Sequence, residues 1–153
     1  MIQRNGWTLL FHDCLIEQLN RLHAATRHAQ ENDPEGFESN ANVKLFRALS
    51  HVMLSVVPSD PARDEYRQGN TLGPAHRHWR RSKIARPFRL FFRYDSKAKV
   101  IVYAWVNDEK TLRSSGSHSD PYAVFAKMLR RANPPDEWNA LVRACQEDWS
   151  PLD

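Results

Sequence analysis

The sequence predicts an α+β fold: an N-terminal α-hairpin packed on an antiparallel sheet of about four strands, with further helices at the C-terminal end. Three observations carry this reading. Two early segments repeat apolar residues at helical spacing, residues 79–106 alternate with period two and are rich in aromatic and β-branched residues, and two more helical patterns follow. With 153 residues, 41% of them hydrophobic, a single domain spanning 1–153 with one core is expected.

Residues 6–11 (Gly-Trp-Thr-Leu-Leu-Phe) suit a short strand that joins the sheet. Asp13 is placed to cap a helix whose Leu15, Leu19, Leu22, Thr26 and Ala29 share a face, ending before Asn32-Asp33-Pro34. Asp33 and Pro34 can open the second helix, with the stripe Leu45, Phe46, Leu49, Val52, Met53 and Val56, and Pro58 as its stop. Residues 58–78 are punctuated by Pro58, Pro61, Gly69, Gly73 and Pro74 and read as a long loop with one helical turn near 62–66. A loop of this length suits a role over a ligand site.

The basic strands come next. Residues 79–84 form one. In residues 88–94, Phe88, Leu90, Phe92 and Tyr94 fall on one face and Arg89, Phe91 and Arg93 on the other, so one face is expected to pack and the other to carry charge. A polar turn at 95–99 leads to the β-branched run 100–106. Residues 107–119 read as a solvated connector. Asp120-Pro121 then opens a helix with Tyr122, Phe125 and Leu129 on one face; Asn133-Pro134-Pro135 ends it, and Asp136 can cap another with the stripe Trp138, Leu141, Val142, Cys145 and Trp149.

Charge singles out one stretch. Between Tyr66 and Tyr94 there is no Asp or Glu but there are Arg67, Arg77, Arg80, Arg81, Lys83, Arg86, Arg89 and Arg93, which exceeds the formal +4 of the whole chain. Basicity this local points to a site. Cys14 and Cys145 are too few for a disulfide framework or a zinc site, no apolar run is long enough to span a membrane, and residues 1–7 lack a signal-peptide core, so a cytoplasmic protein without a membrane partner is expected. His76 and His78 have no third ligand nearby in sequence, and beside Arg77 and Arg80 they suit phosphate or solvent better than a metal. No phosphate-binding Gly loop, nucleophile elbow, HExxH motif or carboxylate pair near the basic strands is present. What remains is Arg and Lys interleaved with aromatics on strands. Arg offers a planar fork to phosphate and aromatic faces stack bases, so the pattern suits RNA, single-stranded above all, though a DNA-backbone or acidic-protein binder shares it.

Asn5-Gly6-Trp7, Trp79-Arg80-Arg81-Ser82-Lys83, Phe88-Arg89-Leu90-Phe91-Phe92-Arg93-Tyr94, Trp105-Val106-Asn107-Asp108-Glu109-Lys110-Thr111-Leu112-Arg113 and Asp120-Pro121-Tyr122-Ala123-Val124-Phe125 resemble, in the same order, the YhaV toxins of the RelE superfamily. The resemblance implies a RelE-like fold and a ribosome-associated, metal-independent mRNA endoribonuclease without cofactor, neutralised by a cognate PrlF-type antitoxin. It also implies site residues: Lys83 as base, Arg89 as clamp on the transition-state phosphate, Arg113 as acid or second clamp (Lys110 in another register), and Tyr122 to stack a base or donate a proton. Arg77, Arg80, Arg81, Phe91, Arg93 and Lys110 would bind the RNA. Arg86 joins the catalytic set, although Ala85-Arg86-Pro87-Phe88 stands where the family has a Gly-containing turn. A ParE-like gyrase inhibitor and a non-catalytic RNA or ribosome binder remain the alternatives on such a fold.

Overall fold

Residues 1–85, 87–107, 120–149 and 151 are described by a computed structural model. Strand β1 (Ile2–Arg4) turns back through Asn5 and Gly6, at φ 50° and 83°, into β2 (Trp7–His12). Asn-Gly is the pair such a two-residue turn favours, because both positions take left-handed backbone. Strands β3 (Arg80–Ile84), β4 (Phe88–Asp95) and β5 (Val100–Val106) form an antiparallel meander. The sheet runs β1-β2-β5-β4-β3, and β6 (Cys145–Gln146) also pairs with β2. Among the described residues the expected antiparallel sheet of about four strands is therefore corrected to a mixed sheet of six, with β2 parallel to β5. Three helices and a strand pair separate β2 from β5, a crossover long enough to return the chain in the same direction.

Helix α1 (Asp13–Asn32) is capped by His12, whose Nδ1 accepts from the Cys14 N–H at 3.1 Å; Asp13 is instead its first residue, where a carboxylate favours the helix N-terminus. The second helix starts later than Asp33. The Asp33 side chain accepts from Gly36 N–H, a 3₁₀ turn spans Phe37–Ser39, and Asn40 caps α2 (Ala41–His51) by accepting from Asn42 and Val43. A π-helical turn, Val52–Val56, then leads into α3 (Val57–Ser59), so Pro58 sits inside the last turn. Helices α1 and α2 pack on each other and cover one sheet face, where Leu15, Leu19, Leu49 and Met53 meet Phe11, Leu90, Phe92 and Tyr103. Two buried polar side chains there are paired: Gln18 bonds both backbone groups of Val106, and the Tyr103 hydroxyl donates to the Met53 carbonyl at 2.7 Å.

Helices α4 (Pro121–Arg130) and α5 (Trp138–Arg143) cover the other face, where Phe125, Leu129 and Leu141 meet Phe91, Val102 and Trp105. That face was expected to carry charge; it is packed at its centre and cationic only toward its margins. Pairing slips from Phe91↔Trp105 to Phe92↔Tyr103, so Ala104 is an extra residue on β5, and both Ala104 and Trp105 point to this second core. Glu137 caps α5 in place of Asp136, and the helix ends at Arg143, which leaves Cys145 to β6 and Trp149 to the first core, edge-on to Phe46. No described helix is long and apolar enough to cross a membrane.

Candidate functional site

Among the described residues strand β3 is the sheet edge, and its register sets Arg81 opposite Phe91 and Lys83 opposite Arg89. Alternation puts all four on the face that α4 covers. Like charges directly opposite each other destabilise a strand pair, and an anion between them reverses the sign. The start of β4 is held by Asn107: its Oδ1 accepts from the Arg89 N–H at 2.5 Å and its Nδ2 donates to the Pro87 carbonyl at 2.8 Å. Asn107 has no exposed area, so it is a structural clamp and not part of a solvated connector. The Arg89 guanidinium donates to the Phe88 carbonyl at 3.0 Å. Ahead of this strand Ala85 takes φ 50°, the left-handed backbone that a Gly would adopt more cheaply.

Tyr122 lies in the first turn of α4, where Asp120 Oδ1 accepts from its N–H at 2.9 Å. Its hydroxyl accepts from Arg81 Nε at 2.9 Å, and Arg81 also donates to the Glu65 carbonyl at 2.6 Å. The Tyr122 ring stands edge-on to Phe91, 5.6 Å between centroids. Phe91 has no exposed area and stacks on Phe125 at 4.4 Å, so it forms the floor under Tyr122 and has no free face for a base. Exposed Lys83 also borders a cavity of about 250 Å³ with Val52, Val56, Arg63, Glu65 and Tyr66. The Tyr66 hydroxyl is buried there with no hydrogen-bond partner among the described residues, and burial pushes its phenol up, which keeps it a neutral donor.

The other cations separate by location. Arg77 is exposed; Arg80 lies on the opposite face of β3, 5.9 Å over the Tyr94 ring. Arg93 is drawn inward, between Trp79 and Trp138 at 5.5 and 5.2 Å, and donates to the Asp136 carbonyl. Arg86, Lys110 and Arg113 lie outside the described residues. His76 and His78 turn to Asp136: the carboxylate Oδ1 is 3.3 Å from His76 Nδ1, 2.8 Å from His78 Nε2 and accepts from Trp79 Nε1 at 2.7 Å. Burial disfavours the Asp136 carboxylate, yet the Trp79 and His78 bonds outweigh it and hold its pKa below the usual value. Asn107 and Asp136 are the two residues that sequence reasoning missed. A lone Asn ending a β-branched run was a signal for the first; nothing local signals the second.

No solved structure matches this chain. Three relatives do, each 39% identical over 145 residues that cover 94% of both proteins: "Ribonuclease toxin YhaV" of Escherichia coli K12, and proteins named "Toxin YhaV" from E. coli O157:H7 and O6:H1. Residues 9–146 match a family described as a toxin with endonuclease activity, of a toxin–antitoxin system. The chain belongs to the YhaV family of toxins.

Proposed function

We propose that this toxin cleaves messenger RNA on the ribosome, without metal, at the face formed by β3, β4 and the first turn of α4. The observation that carries the proposal is the register of Lys83 against Arg89, two cations held opposite each other beside Tyr122. Such a pair gains most when a phosphate lies between. In the proposed reaction the ribose 2′-oxygen attacks the adjacent phosphorus, the P–O2′ bond forms and the P–O5′ bond breaks. Lys83 takes the 2′-hydroxyl proton as general base, and Arg89 stabilises the added negative charge on the phosphoryl oxygens. The Tyr122 hydroxyl accepts from Arg81, so its own hydrogen is free to reach the leaving 5′-oxygen. The products are a 2′,3′-cyclic phosphate and a 5′-hydroxyl.

The cavity beside Lys83 offers space for a neighbouring nucleotide. The chain is read as one RelE-like domain over 1–153, working in the cytoplasm, and its antitoxin as a PrlF-type protein that covers the cationic face with acidic or apolar segments. A ribosome-bound message carrying one 2′-deoxynucleotide on the 5′ side of a mapped cut site tests the chemistry. Cleavage at that site is expected to cease; cleavage that persists there would refute attack by the 2′-oxygen.

A further inference from the structure

At the far end of the same sheet face, the 3₁₀ turn Pro74–His76 and the residues after it bring two imidazoles to one carboxylate. One ligand atom from each of His76, His78 and Asp136 lies within 4.8 Å of the other two. In sequence only His-x-His is visible, because the carboxylate comes from the segment before α5.

The three residues are held from behind. Trp79 Nε1 donates to Asp136 Oδ1, and Arg93, lodged between Trp79 and Trp138, donates to the Asp136 backbone carbonyl. Buried Gln68 donates from Nε2 to the His76 carbonyl at 2.8 Å. Outer bonds of this kind are what orient ligands around a metal. The side chain of His78 is 40% exposed, which leaves the group open to solvent on one side.

We propose that His76, His78 and Asp136 bind one divalent transition-metal ion of the zinc type, with water completing a tetrahedral set. Two imidazoles and a carboxylate suit zinc, whereas magnesium and calcium call for oxygen ligands. The ion ties the segment between α3 and β3 to the segment that leads into α5. Its place is not the proposed cleavage site: Arg93 is four residues along β4 from Arg89, or about 13 Å at the rise of a strand. The ion is accordingly a brace, and RNA cleavage does not pass through it.

The full-length chain, stripped with a chelator and dialysed, is titrated with zinc chloride by calorimetry, and its thermal unfolding is followed with and without zinc. Cobalt(II) serves as a spectroscopic probe of tetrahedral geometry. One ion per chain is expected, with a raised unfolding midpoint for zinc and none for magnesium. His78→Ala and His76→Gln should each weaken zinc more than about 10-fold and abolish the tetrahedral cobalt spectrum. His51→Ala, at an exposed histidine outside the group, should bind as the parent does. Absence of one-to-one binding, or equal affinity in His78→Ala and the parent, overturns the proposal and leaves a hydrogen-bonded cluster only. Circular dichroism of the zinc-free variants verifies that they are folded.

Discussion

Asn107→Ala removes two hydrogen bonds at the point where β4 begins, those to the Arg89 N–H and the Pro87 carbonyl. Pro87 is exposed, so its carbonyl turns to water at little cost. The Arg89 N–H is part-buried, and leaving such a donor unmade costs about 1–3 kcal/mol. For a chain of this size each kcal/mol moves the unfolding midpoint by about 2–4 °C, so a drop centred on roughly 4–8 °C is expected by calorimetry. Function should suffer more than stability. The clamp sets the backbone of Arg89, and a displacement of about 1 Å in a positioning group can cost about 10²-fold in rate. The assay is cleavage of a ribosome-bound message well below the variant's midpoint, so that unfolding does not contribute. A variant with the parent's midpoint and the parent's rate would refute the clamp.

Lys83→Met relieves the like charge opposite Arg89, so the midpoint should hold or rise, by the equivalent of about 0.2–1 kcal/mol, while cleavage falls by at least about 10²-fold; a lower midpoint with intact cleavage contradicts both roles. Ala85→Gly frees a residue from left-handed backbone and should raise the midpoint by up to about 2–4 °C, whereas a fall would show that the turn is not strained. Burial holds His12 below the usual imidazole pKa despite Asp13, and its Nδ1 must stay unprotonated to cap α1. The unfolded chain therefore binds a proton that the folded chain refuses: the stabilisation is complete above about pH 6.5 and is lost as pH falls from there toward the folded pKa. His12→Asn keeps a capping acceptor and should flatten this decline; parallel midpoint profiles for the two chains over that range would exclude His12 as its source.

Much of the fold was legible because the relevant signals are local. Period-two alternation placed Phe88, Leu90, Phe92 and Tyr94 on the first core, helical spacing placed Leu49 and Met53 against them, and Asp120-Pro121 marked the start of α4. What stayed hidden depends on residues far apart in sequence. The parallel pairing of β2 with β5 follows from the path between them, and the extra residue at Ala104 follows from the register with β4. Strand β1 has only three residues, too few for a periodic signal, and the Asn5-Gly6 turn before β2 went unread because Gly6 was assigned to the strand. In the candidate site, the opposition of Lys83 and Arg89 could be read from two strands joined by a short turn. The fate of Arg93 could not, since Trp79, Trp138 and Asp136 converge on it from three segments. Two of the three misjudged helix starts share one reason: Asp13 and Asp136 each stand beside the true cap, His12 or Glu137, and composition cannot separate adjacent positions.

The most direct test of the cationic face as a nuclease maps the ends of cellular RNA after brief induction of the parent chain and of Arg89→Ala, with both chains shown to be folded and equally abundant. Discrete new 5′-hydroxyl ends within translated regions are expected for the parent and none for Arg89→Ala. The same ends with Arg89→Ala, or new ends that carry 5′-phosphate, would contradict this expectation.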